Sequence, residues 1–297
     1  MALKTIDSIS FAGKRALIRV DFNVPLDKQL KVTDDTRIKA VLPTIHKILK
    51  DGGSVVLMSH LGRPLKKLNE DGTVNYAKHS LKNALPKLIA LLGKEVKFAD
   101  DCVSDEAFAL SSSLKAGEVL LLENLRFYKE EEKGDAAFSE KLAKHGDIYV
   151  NDAFGTAHRA HASTTIVANY FSADTKVLGY LMAAEVANAY KVYDNAEKPF
   201  TAIIGGAKVS DKILILENLL NKADNILIGG GMAYTFLKAL GKPIGKSLCE
   251  EDKLNVALDV LKKAKEKGVK IYLPSDHIVA DKFDANAEAK SVIIDET

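Results

Sequence analysis

The sequence predicts an α/β protein: two Rossmann-like, doubly wound parallel-sheet lobes joined by a helix, with the second lobe incomplete. Three observations carry this expectation. Short, fully apolar runs alternate with helix-period patterns along all 297 residues, and strands of that kind belong to parallel sheets covered on both faces. At about 150 residues per domain, the length corresponds to two domains. One Ala-rich segment without Gly or Pro, Leu181–Asp194, separates two alternating blocks and reads as a helix rather than a loose linker. The expected division is residues 1–177 for the first lobe, 178–196 for a connecting helix and hinge, and 197–297 for the second lobe.

In the first block, strands are expected at Arg15–Val20, Ser54–Met58, Val96–Phe98, Val119–Leu122 and Ile148–Val150. Ile38, Val41, Leu42, Ile45, Ile48 and Leu49 recur at helical spacing, and Gly52 marks the stop. Pro43 falls inside that pattern, so a kink or a short first segment is expected there. Leu81, Leu85, Leu88, Leu91 and Leu92 mark a second helix that Gly93 ends. In the second block the strands are Thr201–Ile204, Asn225–Ile228 and Lys270–Leu273, with Ser291–Ile294 a weaker candidate. The helices between them are Lys212–Asn221, Met232–Leu240 and Leu254–Lys267. A doubly wound half that ends on a bare strand leaves a sheet face or edge uncovered. On that ground the chain is expected to be incomplete at its C-terminus.

Composition narrows the function. Hydrophobic residues make up 47% of the chain, which excludes bulk disorder. Lys and Arg number 42 against 40 Asp and Glu, a balance that argues against a dedicated nucleic-acid or membrane-surface protein. No basic stripe interleaved with aromatics is visible, and there is no Trp. Cys102 and Cys249 are far apart and in no metal-ligand spacing, so a reducing compartment is expected rather than a disulfide scaffold or a zinc site. The segment Met1–Asp7 has no apolar leader, and no apolar run reaches bilayer length. A cytoplasmic monomer is the expectation.

Ligands of open α/β sheets bind beyond the carboxyl ends of the strands, so the residues after each strand matter most. These are Asp21 and Asn23, then Ser59, His60 and Arg63, then Glu123, Asn124 and Arg126, then Asn151, Asp152, His158, Arg159 and His161. Arg37, at the start of the first helix, joins them. Any one of these arginines alone is most simply a surface cation paired with a carboxylate. Arg37, Arg63, Arg126 and Arg159 together with His60 make a cationic basin for a small anion, because the planar guanidinium binds phosphate or carboxylate bidentately. Asp21 and Asn23 add groups suited to a substrate hydroxyl.

The second block offers glycines instead. Gly205-Gly206-Ala207-Lys208 and Gly229-Gly230-Gly231 each follow a strand and precede a helix. There, backbone N–H groups can approach a phosphate or nucleotide, with Lys208 and Lys212 as neutralising charges. Such glycines are as often simple tight turns, and neither run is a GxGxxG dinucleotide fingerprint. Leu248 and Met232 fit an adenine pocket or ordinary core packing equally well. Gly241–Ser247 imitates a P-loop, but it has one residue too few between its glycines and follows a helix pattern. His158 and His161 lack a third ligand, so ordinary hydrogen bonding is expected of them rather than metal binding. No GxSxG elbow supports a serine hydrolase.

These stretches resemble one family closely, phosphoglycerate kinase. The resemblance rests on Arg19–Pro25, Arg37-Ile38, Leu57–Pro64, Leu122–Phe127, Val150–His161, Ile204–Val209 and Gly229–Ala233, which run in family order over the whole length. It implies reversible phosphoryl transfer between 1,3-bisphosphoglycerate and ADP, giving 3-phosphoglycerate and ATP, with Mg²⁺. By the resemblance, Asp21, Asn23, Arg37, His60, Arg63, Arg126 and Arg159 bind phosphoglycerate. Gly206, Ala207, Gly230 and Leu248 hold the nucleotide, Lys208 and Lys212 face its phosphates, and Arg37, Lys212 and Lys208 are the catalytic candidates. Lobe closure about the connecting helix is implied as well. Family chains are longer, and their later nucleotide-site and Mg²⁺-site residues have no counterpart here. Two other readings stay open. One is a binding module that grips phosphorylated acids without turnover. The other is a dehydrogenase-like enzyme, against which the missing fingerprint argues.

Overall fold

The structure, a computed structural model, describes residues 4–194, 196–282 and 284–294. The chain divides into two compact units, Met1–Asn188 and Ala189–Thr297. In the first unit the strands are β1 (Arg15–Arg19), β2 (Ser54–Met58), β3 (Lys97–Ala99), β4 (Val119–Leu122), β5 (Ile148–Asn151) and β6 (Lys176–Leu178). They form one parallel sheet in the order β3-β4-β2-β1-β5-β6. Its helices are α1 (Thr36–Lys50), α2 (Tyr76–His79), α3 (Leu85–Leu92), α4 (Asp105–Ser112), α5 (Lys129–Lys133) and α6 (Ala136–Ala143), and α7 (Tyr180–Asp194) begins in this unit and ends in the next.

Side chains of successive strand residues enter opposite layers. Ala16, Ile18, Val55, Leu57, Leu121, Ile148 and Val150 pack with Ile38, Val41, Ile45, Ile48 and Leu88 from α1 and α3. Leu17, Val56, Met58, Leu120, Leu122 and Tyr149 pack with Ala107, Phe138 and Leu142 from α4 and α6. Both faces are therefore dry, as the apolar strands require. Local chemistry sets the helix ends. Ser104 caps α4 by accepting from the Ala107 N–H, Asp135 caps α6 through the Phe138 N–H, and Gly93 ends α3 in the left-handed region.

Some expectations are corrected. Helix α1 runs through Pro43 without interruption. Pro43 and Lys39 are exposed, so the carbonyl the proline leaves unpaired faces water while Val41 and Ile45 anchor the buried side. The second helix is two pieces, a 3₁₀ turn at Leu81–Asn83 and then α3, because Pro86 in the first turn of α3 lacks the donor that would continue an α-helix backwards. Strand β6, three residues long, gave no apolar run to detect.

The second unit holds β7 (Thr201–Gly205), β8 (Asn225–Gly229) and β9 (Lys270–Tyr272), parallel and in that order. Helices α8 (Ile213–Leu219), α9 (Met232–Ala239) and α10 (Leu254–Glu266) cover one face, with Ala202, Ile204, Ile226, Ile228, Phe236 and Val260 in its core. Ile203, Leu227 and Tyr272 lie exposed on the other face. The expected last strand exists, as β11 (Ala289–Ile293), but it pairs antiparallel with β10 (Asp276–Ala280) in a separate ribbon. Residues 281–288 are too few for the crossover that a parallel pairing needs. Among the described residues no helix is long and apolar enough to cross a membrane.

Candidate functional site: a cationic cleft and a pair of glycine turns

Because the first sheet is parallel, the carboxyl ends of β1, β2, β4 and β5 lie along one edge, and buried polar contacts tie their loops together. The Ser59 hydroxyl donates to the Val20 carbonyl and accepts from the Phe22 N–H, both at 2.8 Å. Asn23 Oδ1 accepts from the Gly62 N–H at 2.8 Å. Gly62 has φ +65°, and a Cβ there would stand 2.6 Å from the His79 ring, so this approach requires glycine. Asn124 donates to the Leu61 and His79 carbonyls, and Glu123 accepts from Ser80 and the Leu81 N–H. Glu123 and Asn124 are thus brackets of the loops rather than ligand groups. Asp152 accepts from the Met182 N–H at 3.0 Å and likewise belongs to the scaffold.

The loops enclose a cleft of about 700 Å³. It is lined by all seven expected residues: Asp21, Asn23, Arg37, His60, Arg63, Arg126 and Arg159. Lys67, Lys78, Gly155 and Thr156 join them. No motif or charge pattern in the sequence sets these four apart: Lys67 lies in the loop after β2, Lys78 on α2, and Gly155 and Thr156 in the loop after β5. Six Lys and Arg side chains meet two carboxylates, Asp21 and Glu185, in this lining. Arg37 is ion-paired with Asp21. Arg126 is buried, donates through Nη1 to the Gly62 carbonyl and has its Nε in an ion pair with Glu132 at 3.7 Å, while neither Nε nor Nη2 makes a hydrogen bond. Burial pulls its pKa below the ordinary arginine value. Buried, unpaired guanidinium donors are costly unless an anion completes them. Arg159 donates from Nε to His158, which places His158 as a neighbour of the basin rather than a metal ligand. His161 is buried 4.0 Å from Glu131 and does not line the cleft. His60 is buried too. Desolvation first, and then the charges of Arg19, Arg126, Arg37 and Arg159, hold its pKa far below the usual histidine range.

In the second unit the two glycine turns pack on each other. The Met232 N–H donates to the Gly206 carbonyl at 2.8 Å. Gly230 has φ +69°, and a Cβ there would meet the Gly206 backbone at 3.0 Å. A Cβ on Gly231 would stand 3.2 Å from the Ala207 carbonyl and 3.4 Å from Leu248 Cδ2. Gly206, Ala207, Gly230 and the exposed Leu248 are therefore one neighbourhood. Lys212 precedes α8, with its Cε 3.5 Å from where a Gly206 Cβ would be. Lys208 is exposed, and its charge acts on Glu250 and Asp252. The imitation P-loop lies after α9, not after a strand. Met232 is fully buried in the core, which is the plainer of its two readings.

The model of the family phosphoglycerate kinase matches residues 6–297. This chain belongs to the phosphoglycerate kinase family. It is 54% identical over 295 residues to the phosphoglycerate kinase of Chloroherpeton thalassium, covering 99% of this chain and 72% of that protein. With the phosphoglycerate kinase of Porphyromonas gingivalis, the figures are 52% over 306 residues, 95% and 71%. Among solved structures, the phosphoglycerate kinase of Coxiella burnetii superposes with a TM-score of 0.81 at 39% identity, over 99% of this chain and 72% of the other. That of Pyrococcus horikoshii gives 0.79 at 30% identity, over 98% and 71%. Members of the phosphoglycerate kinase family are ATP-dependent phosphotransferases.

Proposed function

We propose that the cleft binds 3-phosphoglycerate and that the glycine turns of the second unit bind ATP or ADP, so that the chain carries reversible phosphoryl transfer between them. The observation that carries this reading is the cleft lining itself, in which Arg37, Arg63, Arg126 and Arg159 with Lys67 and Lys78 face two carboxylates, Asp21 and Glu185. A small acid that carries both a carboxylate and a phosphate offsets this positive charge. Asp21 and Asn23 suit its hydroxyl. In the direction of ATP consumption, a carboxylate oxygen attacks the γ-phosphorus and the bond to the β–γ bridging oxygen breaks. The acyl phosphate forms and ADP leaves. The nucleophile is already ionised, so no general base is required, and catalysis rests on positioning and charge. Arg37 and Lys212 offset the charge of the transferring group, and Lys208 supports the phosphate chain. Gly206, Ala207, Gly230 and Leu248 take the adenine.

Mg²⁺ belongs to the same proposal. Among the described residues no cluster of three or more His, Cys, Asp or Glu would hold a metal ion, and Mg²⁺ commonly enters on nucleotide phosphates, whose charge it neutralises. We place the working boundaries at 1–177, 178–196 and 197–297, with the helix of the middle segment as hinge, in a cytoplasmic monomer. The binding-only alternative is less favoured, because the family match spans both the cleft and the glycine turns.

A coupled assay with 3-phosphoglycerate and MgATP tests the reading, and absence of turnover would refute it. Arg37→Ala should lower kcat about 10²- to 10³-fold, the scale of losing one donor to a developing charge, with a smaller change in nucleotide affinity. Equal losses in both would remove Arg37 from the transition state.

A further inference from the structure

Behind the cleft lies a buried relay that the transfer chemistry above does not use. Arg19, at the end of β1, is completely buried. Its Nε donates to the Ser163 hydroxyl at 2.8 Å, its Nη1 to the Val20 carbonyl, and its Nη2 contacts His60 Nδ1 at 3.1 Å. Ser163 in turn is held by Glu131 on α5, also completely buried, which accepts from the Ser163 hydroxyl at 2.6 Å and from its N–H at 3.0 Å. We propose that Arg19 is a positioning residue that presents His60 to the phosphoglycerate anion as a neutral Nε2–H donor.

The donor inventory decides the tautomer. A guanidinium has no acceptor. The contact with Nη2 is a hydrogen bond only if His60 Nδ1 is the acceptor, so the ring proton sits on Nε2. An imidazolium would set N–H against N–H and charge against charge. Arg126, Arg37 and Arg159 add positive charge around the ring, and desolvation acts in the same direction. His60 lines the cleft, and among the described residues its Nε2 has no protein partner. Glu131, through Ser163, fixes the guanidinium and with it the ring plane. His60 is therefore a fixed dipole at the anion, neither a base nor a third kind of cation. This inference rests on the reading of the cleft as the phosphoglycerate site.

The test is ¹H–¹⁵N NMR of the His60 ring in the intact protein, with kinetics of four variants. The expected spectrum is an Nε2–H tautomer that does not titrate between pH 5 and 8. An Nδ1–H tautomer, or titration near the ordinary histidine value, overturns the proposal. His60→Ala should raise KM for 3-phosphoglycerate about tenfold, one hydrogen bond to a charged partner. His60→Gln should recover most of this loss, since its amide nitrogen stands in for Nε2, and His60→Asn should not. If His60→Ala leaves KM unchanged, the cleft reading fails at this residue whatever the spectrum shows. Ser163→Ala is the milder cut in the relay, because it keeps both buried charges. It should mix the His60 tautomers and raise KM for 3-phosphoglycerate several-fold with KM for MgATP unchanged. An unaltered tautomer and KM in that variant would make Arg19 a purely structural arginine.

Discussion

Gly179 shows how closely single atoms are placed near the cleft. A Cβ there would stand 2.3 Å from the Asp152 carboxyl carbon. That carboxylate is buried, which pushes its pKa up, and it accepts the N–H of Met182 in the first turn of α7. Leu181, one residue earlier, is in the cleft wall. Gly179→Ala should therefore cost about 3 kcal/mol or more, at or beyond the upper end of ordinary overpacking. It should also weaken 3-phosphoglycerate binding, because α7 must shift. Urea midpoints and KM measured together check this, and a midpoint equal to wild type would show that the loop relaxes freely. Gly155 is a gentler case: an added Cβ would sit 3.2 Å from an Asp21 oxygen. The clash there falls on the carboxylate that holds Arg37.

At the scale of elements, His145 joins α6 to α4. It follows α6, stacks on Phe108 at 4.7 Å, donates to the Cys102 carbonyl at 3.0 Å and is hydrogen-bonded to Ser111 at 2.8 Å. Burial pulls its pKa down to about 4. Between that value and an unfolded value of about 6.5, the unfolded chain binds a proton that the folded chain refuses. The stability that the neutral ring contributes is complete above about pH 6.5 and is lost as pH falls towards 4, to at most about 3 kcal/mol. Denaturant titrations at pH 7 and 4.5 should show this loss, and His145→Gln should flatten it. A pH dependence unchanged in that variant would assign the acid limb to other groups.

On the scale of the molecule, each unit owns a core, with two apolar layers around the first sheet and one beside the second. A ligand that binds one folded unit stabilises that unit by mass action. Hydrogen exchange should then separate the sites. 3-Phosphoglycerate is expected to slow the amides after β1, β2, β4 and β5, and MgADP those of the turns after β7 and β8. Protection by 3-phosphoglycerate confined to the second unit would reverse the assignment.

Much of this was legible in the residues. The apolar runs at Ser54–Met58 and Val119–Leu122 became strands at those bounds, because strands buried on both faces leave no room for polar residues. Arg37, Arg63, Arg126, Arg159 and His60 converge as their places after successive strands implied, since a parallel sheet delivers all its carboxyl ends to one edge. Asp21 and Asn23 converge for the same reason. Strand β10 and the antiparallel partner it gives β11 were not legible, because pairing direction depends on which neighbours remain free in space. Nor was the division of labour among polar residues at the strand ends. Glu123 and Asn124 turn inward as brackets while Arg126 turns to the cleft. Arg19 and Ser163, 144 residues apart, meet only in the folded chain, where Ser163 also bonds Glu131 of α5. Hydrophobic periodicity records which face of an element is buried. It does not record which distant donor meets which acceptor there, and that pairing is set by packing alone.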